Sequence, residues 1–557
     1  MFLGLDMGGT HTDAVLIEAG EVKHYCKIET DPENFHGTVT KALEAVLSSP
    51  IPPSLERLNL STTVCTNAIV SNNTSPVGLL LEPGPGLNAR QLSNAARTFI
   101  LTGAIDHRGR QTAPLKKTEI KAADQKLQAA GIKHLAIVGK FSTRNPEHEI
   151  RIKQTLSPVY DYITLGHRLS GRLNFPRRVH TAYLNSAVAT TYNAFATAIE
   201  KYRQEKKFPI APDILKADGG TMSLQASRNL PVETILSGPA ASIMGALALA
   251  SVRQDAVILD IGGTTTDIAF LADGVPLFEP RGITLAGYPT LVRALYSYSL
   301  GLGGDSCLRT DGNRLSIGPD RQGPACALGG PCPTPTDALI ALGRLDLGDK
   351  TAARKAIASL GKACGLSTKA MATTILKQMA ASIAAKSHAL LAEINSQPVY
   401  TIREVLDNKQ LQPRQVIAIG APAAALAADL EAAFDLPVEV PPLAEIANAV
   451  GAALSLPTTE ITLLADTEQG TLIVPEEGLQ QKIPATFNLV QARSLALEIL
   501  KKRLQRLNPA AAAAELEIVE EQSFNMVSGF FTTGKNIRVK AQVKPGVTPM
   551  SGSEKHV

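Results

Sequence analysis

No tryptophan occurs among the 557 residues, and phenylalanine (14) and tyrosine (10) are sparse. A surface of stacked aromatic rings for sugars or bases is therefore disfavoured. Long apolar runs are missing too, since nothing approaches the roughly 18 residues that a membrane-crossing helix needs. The N-terminus carries no basic segment ahead of an apolar stretch, and Asp6 interrupts the apolar residues that begin the chain. An export signal is not expected, and a cytoplasmic setting is. No block of five or six like charges occurs, and 55 basic against 51 acidic residues leave a net charge of +4. Neither nucleic acid nor membrane is an expected partner. The six cysteines (Cys26, Cys65, Cys307, Cys326, Cys332 and Cys364) include no C-x-x-C pair. They read as small apolar residues, not as a disulfide framework or a zinc site. Glycine (43) and proline (35) are near average, which excludes collagen-like and disordered chains. The length predicts three or four domains and a core that needs no covalent staple.

What is present is a short internal repeat. Residues 6–13 read DMGGTHTD and residues 260–267 read DIGGTTTD, a shared D-x-G-G-T-x-T-D pattern 254 residues apart. Each copy lies between two short apolar runs, which predicts a β-hairpin. Paired glycines let backbone N–H groups approach an anion, and threonine hydroxyls add donors. An aspartate at a strand end suits a hydrated Mg²⁺ beside phosphates. Gly8, Gly9, Thr10, Gly262, Gly263 and Thr264 are accordingly expected to cradle phosphates. Asp6 and Asp260 are expected to organise Mg²⁺ or its waters and to be catalytic. Thr12 and Thr266 either join the phosphate contacts or stiffen the hairpins. Asp13 and Asp267 either support the site or bond to their own turns.

A late segment completes the pattern. Val416–Ala423 reads as a buried strand entering a glycine turn, with Gly420 and Ala421 expected to flank an adenosine. A helix from Ala424 to Phe434 and a short strand at 436–441 follow. Ala447–Ala453 then reads as a small-residue helix suited to close packing. In content and order the chain resembles the actin, sugar-kinase and heat-shock ATPase superfold. That resemblance implies an α/β, two-lobed, actin-like ATPase (ribonuclease H-like) fold, with ATP and Mg²⁺ as cofactors.

Further segments are similar to the hydantoinase A/5-oxoprolinase family. Ser61–Ile69 resembles its GTTVATNAL segment, and Gly103–Gly109 its GRIDHRG. Residues 145–149 read NPEHE, as in the family. Asp218–Met222 resembles NGGVMS, and Ser237–Ala241 resembles SGPAGG. Gly318–Asp320, Gly323–Cys326 and Pro333–Ala338 resemble GP.SAGA.PGPACYG…PTVTDA. The resemblance runs colinearly over residues 2–455. It implies an enzyme that uses ATP to phosphorylate the carbonyl oxygen of a cyclic amide such as 5-oxoproline before ring opening. It also implies kinship with the ATP-using subunits of acetone-type carboxylases, a cyclic amide or ketone substrate, a possible B-type partner subunit and an oligomeric state.

Thr63 and Asn67, in a polar cluster with Thr62 and Thr66, are further catalytic candidates. Gly238 either approaches the nucleotide or opens a helix. Asn145, Glu147 and His148 either reach substrate or start a helix. His167 is a base or a structural histidine, and Gly303, Gly304 and Asp305 form a third glycine turn facing ligand or solvent. Two departures stand out. Leu60-Ser61 replaces the HG of HGTTVATN, and Tyr298 stands where a histidine precedes TIGAGGGS, here SLGLGGDS (299–306). Two family histidines are thus replaced, which puts the ring-opening step in question and leaves phosphate binding untouched. A regulatory or assembly ATPase and a small-molecule kinase of the same superfold are the rival readings.

The expected domains are 1–172 with the first hairpin, 173–456 with the second hairpin and the adenosine end, and 457–557 as a small α+β unit. Strands are expected near 58–70, a helix over 182–206, a bridge at Ala510–Ala514 and a disordered tail over 545–557.

Overall fold

The computed structural model describes residues 1–31, 34–47, 54–92, 97–208, 210–250, 252–311, 314–396, 410–507 and 515–550. Two mixed sheets each carry one copy of the repeat. In the first, Phe2–Met7 and His11–Glu18 form an antiparallel hairpin, Glu21–Glu29 extends it, and Arg57–Thr62 lies parallel to Phe2–Met7 on the other side. Asp213–Leu215 and Thr221–Ser223 complete this six-stranded sheet, which therefore draws strands from well beyond residue 172. In the second, Ala256–Ile261 and Thr266–Ala272 form the equivalent hairpin, with Gln415–Ile419 parallel to its first strand. The buried runs Leu3, Leu5 and Val257, Leu259, Ile261 anchor these hairpins in two separate cores.

The helix Ala447–Leu454 lies between the two hairpin systems, packing on the helix Ser237–Leu249 and on Phe2–Met7. Its small residues make this possible. A Cβ at Gly451 would sit 2.1 Å from the Ala241 carbonyl oxygen, and one at Gly4 would sit 2.3 Å from that of Ala449. Asn59, fully buried in the first sheet, donates to the carbonyls of Ala452, Ala453 and Ser455 at 2.8–3.3 Å and satisfies the end of this helix.

A parallel four-stranded sheet (Tyr162–Leu165, His134–Gly139, Val77–Glu82, Thr98–Ile100) stands apart. Beyond residue 456, Glu460–Asp466, Thr471–Val474, Leu479–Lys482, Leu516–Ser528 and Phe531–Val543 form an antiparallel sheet. Its core is sealed by the helix Leu489–Leu507. Among the described residues no helix is long and apolar enough to cross a membrane.

Four expectations change. The strand expected near 58–70 ends at Thr62, and Val64–Val70 is a helix. The chain leaves the sheet at Thr63, whose N–H donates to the Met7 carbonyl at 3.1 Å. The helix expected over 182–206 is two, Phe175–Ala187 and Ala189–Glu205, joined at Val188. Cys307 and Cys332 are paired as a disulfide. Part of the expected loose tail is anchored, since Leu456 N donates to Gly546 and Thr548 N donates to Leu454 at 3.0 and 2.8 Å. Ala510–Ala514 and 551–557 lie outside the described residues.

Candidate functional site

Two like-charged pairs mark the site. Asp6 lies directly across the first hairpin from Asp13, and Asp260 lies directly across the second from Asp267. Opposed side chains share one face of a sheet, so each pair opposes folding. Burial drives the Asp6 carboxyl up to about 6, with Asp13 and Asp260 adding to the rise and Ser61 and Asn448 acting against it. Burial and then Asp260 push Asp267 up to about 7. Asp260 is also raised by burial, with Ser242 and Asn448 opposing. Asp6 and Asp260 thus share one neighbour, Asn448, on the helix between the hairpins. Ser242 Oγ donates to Asp260 Oδ2 at 2.5 Å, and Lys27 Nζ donates to Asp13 Oδ2 at 2.9 Å.

The loops above these carboxylates match each other. Gly8 N donates to the His11 carbonyl and Gly262 N to the Thr265 carbonyl, both at 2.9 Å. Gly9, Thr10, Gly263 and Thr264 are exposed at the tips. The remaining candidates gather around the loops. The Asn67 amide nitrogen lies 3.1 Å from where a Gly9 Cβ would stand, and Asn67 Nδ2 donates to Thr63 Oγ1 at 3.1 Å. Thr63 Cγ2 lies 3.3 Å from a Gly238 Cβ position, on the first turn of Ser237–Leu249. Gly420 has φ +94°, and a Cβ there would meet the Ile261 carbonyl oxygen at 2.3 Å and Asp260 Oδ1 at 3.0 Å. Glycine is required at this close approach. Ala421 beside it is exposed.

Thr12 is placed differently. It is buried, and its hydroxyl is 2.8 Å from that of Thr30. Thr266 donates to the Leu302 carbonyl at 2.7 Å. Both hydroxyls are committed to holding the hairpins.

The segment at 145–149 starts a helix at Glu147. His148 Nδ1 is 2.6 Å from Glu82 Oε1, and His167 Nδ1 is 2.6 Å from Glu149 Oε2. All four side chains are buried, and these partners belong to the parallel four-stranded sheet and its flanking helices. Leu60, at one replaced histidine position, is fully buried in the first core. Tyr298, at the other, lies under the Lys386 ammonium, 4.0 Å from its ring centroid. A separate cavity is lined by Lys216, Asp218, Arg293, Glu460 and Arg503. Its charges are paired, with Asp218 accepting from Lys216 at 3.1 Å and Arg293 at 2.8 Å.

Sequence reasoning missed Lys27, Ser242 and Asn448, which stand outside any motif. Lys27 had a usable signal, because it is the cross-strand neighbour of Asp13. Among the described residues, no three histidine, cysteine, aspartate or glutamate side chains are grouped to hold a metal unaided. Asp6 Oδ1, Asp13 Oδ1 and Asp267 Oδ1 are nevertheless buried without hydrogen-bond partners. Orphaned carboxylate oxygens of this kind suit a cation that takes its other ligands from water and phosphate.

The raised carboxyls make the ligand-free protein pH-sensitive. The unfolded chain ionises near 3.8, before the folded carboxyls of Asp6 and Asp267 at about 6 and 7. Their stabilising contribution is complete below the unfolded value and is lost as pH rises through 6 and 7. Asp267→Asn is expected to remove its own share of this loss, making the variant more stable than the parent at pH 8 by about 1–3 kcal/mol and indistinguishable at pH 4. Urea unfolding at the two pH values checks it.

Family models match most of the chain: the hydantoinase/oxoprolinase N-terminal region over residues 2–159 and hydantoinase/oxoprolinase over residues 178–461. The acetophenone carboxylase gamma subunit of Aromatoleum aromaticum is 26% identical over 62% of this chain and 53% of its own. Caprolactamase subunit alpha of Pseudomonas jessenii is 26% identical over 76% of this chain and 65% of its own. The 5-oxoprolinase of Saccharomyces cerevisiae is 24% identical over 62% of this chain and 32% of its own. The chain therefore spans between a third and two thirds of the length of these relatives. The crystal structure of ATP-dependent caprolactamase from Pseudomonas jessenii shares the fold, with a TM-score of 0.72 at 20% identity over 100% of this chain and 89% of that one. Nucleotide-free acetone carboxylase does so as well, with a TM-score of 0.72 at 17% identity over 99% and 88%. The chain belongs to the hydantoinase/oxoprolinase family.

Proposed function

We propose that this chain is an ATP-dependent hydrolase that phosphorylates the carbonyl oxygen of a cyclic amide and thereby prepares the ring for opening by water. The observation that carries the reading is the convergence of two matched hairpins, with Asp6 and Asp260 both beside Asn448. An amide carbon is a poor electrophile. Transfer of the terminal phosphoryl group to the amide oxygen releases ADP. Water then adds to the activated carbon and the C–N bond breaks, leaving a free amine and an acyl phosphate; a second water cleaves the acyl phosphate to give phosphate and the acyclic amino acid. In total one ATP and two waters are consumed per ring.

The backbone N–H groups of Gly8–Thr10 and Gly262–Thr264 would bind the phosphates, with Gly238, Gly420 and Ala421 bordering the nucleotide. Thr63 and Asn67, beside Gly9 and Gly238, would orient the acceptor. Asp6 and Asp260 would hold Mg²⁺, which fits the orphaned Asp6 Oδ1 and those of the opposed Asp13 and Asp267; when bound, it neutralises charge on the transferring phosphoryl group. Asn448 and Ser242 fix the two carboxylates so that little reorganisation is needed on binding.

Relatives named as subunits support a B-type partner and an oligomer. In a chain poor in aromatics, Phe524, Phe530 and Phe531 stand in solvent on the long C-terminal hairpin, which suits an interface. Soluble, cytoplasmic use fits the absence of a membrane-crossing helix among the described residues.

The test is ATP turnover with and without lactams and hydantoins, alone and with a partner subunit. Stimulation with stoichiometric release of amino acid supports the reading, and no stimulation by any cyclic amide or ketone overturns it. A kinase is the second reading, favoured by the core leucine at position 60 and by Tyr298. It requires a stable phosphorylated product, visible by mass spectrometry.

A further inference from the structure

A carboxylate stands over the second phosphate loop. The turn Gly303–Asp305 is docked on that loop, with Gly304 N donating to the Gly262 carbonyl at 2.9 Å and Asp305 N to the Gly263 carbonyl at 2.6 Å. Asp305 Oδ2 lies 2.7 Å from where a Gly263 Cβ would stand. The first loop has the Asn67 amide nitrogen at the matching place. A lone carboxylate there would repel a phosphate, and the first loop shows that a neutral donor serves.

The carboxylate is not alone. Arg321 Nη2 donates to Asp305 Oδ2 at 3.2 Å. The Arg321 side chain is one third exposed, so its guanidinium is not sealed in protein. Its neighbour Asp320 is tied down, because Cys307 N donates to the Asp320 carbonyl at 2.8 Å, only two residues from Asp305. The Cys307–Cys332 disulfide closes the same loop. Asp305 stands at the last glycine of TIGAGGGS, here SLGLGGDS. An acid introduced alone would weaken anion binding, whereas an acid that brings a guanidinium with it delivers a planar phosphate-binding fork.

Local charge points the same way. Asp6, Asp13, Asp260 and Asp267 lie behind the loops, and Lys27 is committed to Asp13. A triphosphate needs further positive charge at its terminal group, and an arginine supplied by the chain itself is an established way to stabilise phosphoryl transfer.

We propose that Arg321 is a nucleotide-contacting residue that Asp305 holds over the second glycine loop and that engages the terminal phosphate of a bound nucleoside triphosphate. This rests on the nucleotide reading of the hairpins but not on any choice of acceptor.

Calorimetric titration with Mg²⁺ and either a non-hydrolysable ATP analogue or ADP tests it in the parent, Arg321→Gln and Arg321→Lys. The glutamine variant is expected to bind the triphosphate analogue at least about tenfold more weakly, with ADP affinity within about twofold of the parent. The lysine variant should recover part of the loss, and the melting temperature should be unchanged. Unaltered affinity for the triphosphate analogue overturns the proposal. An equal loss for both nucleotides with a lowered melting temperature also overturns it, since that is a structural role. A parent protein that binds neither nucleotide overturns the hairpin reading itself. Nucleotide binding without lactam-stimulated turnover leaves Arg321 in place and removes only the acceptor.

Discussion

Asp6→Asn and Asp260→Asn are each expected to reduce ATP turnover by at least about a hundredfold while leaving the fold intact. The substitution keeps shape and removes charge. Each carboxylate is buried where it opposes folding, pushed up to about 6 in Asp6 and raised in Asp260. A residue kept in such a place contributes through what it binds. Loss of either should cut the affinity for hydrated Mg²⁺ with nucleotide, because the two acids sit on opposite hairpins and the second cannot substitute for the first. Both variants should melt no lower than the parent without ligand at pH 8, because a destabilising charge has gone. They should also gain less thermal stability than the parent from Mg²⁺ and nucleotide. Steady-state ATP hydrolysis and thermal melts check both halves. Full activity in either variant removes that aspartate from the site.

Gly451→Val is expected to lower stability by about 3 kcal/mol or more, a fall of roughly 3 °C or more in melting temperature. A Cβ at position 451 would meet the Ala241 oxygen at 2.1 Å and the Gly245 nitrogen at 2.4 Å. Both are backbone atoms of the facing helix, so no side chain can turn aside and the helices must separate. Gly245 is the mirror case, with the Ala447 oxygen 2.0 Å from its Cβ position. The same helix carries Asn448, so any form that still folds should bind nucleotide poorly. Gly546→Ala is the control, because its Cβ would meet only Leu456 at an ordinary 3.6 Å. Differential scanning calorimetry on the parent and the two variants decides it. A melting temperature for Gly451→Val equal to that of Gly546→Ala and the parent would show that this helix pair is not close-packed in solution.

The hairpins were legible because a specific polar pattern recurs between apolar runs, and the register then sets Asp6 against Asp13 and Asp260 against Asp267. The small-residue helix was legible because alanine favours a helix and the run 447–453, with Gly451 within it, carries little side-chain bulk to keep a neighbouring backbone away. The helix at Val64–Val70 was not, because the Thr62, Thr63 and Val64 run has strand propensity, and the end of the partner strand at Met7 overrides it. The break at Val188 gave no glycine or proline to mark it. Asn448, Ser242 and Arg321 reach the site from separate elements, and only the folded chain brings them to it. The Cys307–Cys332 pairing had no spacing signal, and Leu60 shows why a motif position alone does not make a functional residue: it is core.

The most direct test of the two-hairpin site is calorimetric binding of a non-hydrolysable ATP analogue with Mg²⁺ to the parent and to Asp6→Asn and Asp260→Asn. One nucleotide should bind per chain, and each substitution in its own hairpin should weaken that single event by at least about tenfold. Two independent sites per chain, or unchanged affinity in both variants, would contradict a single nucleotide gripped between the hairpins.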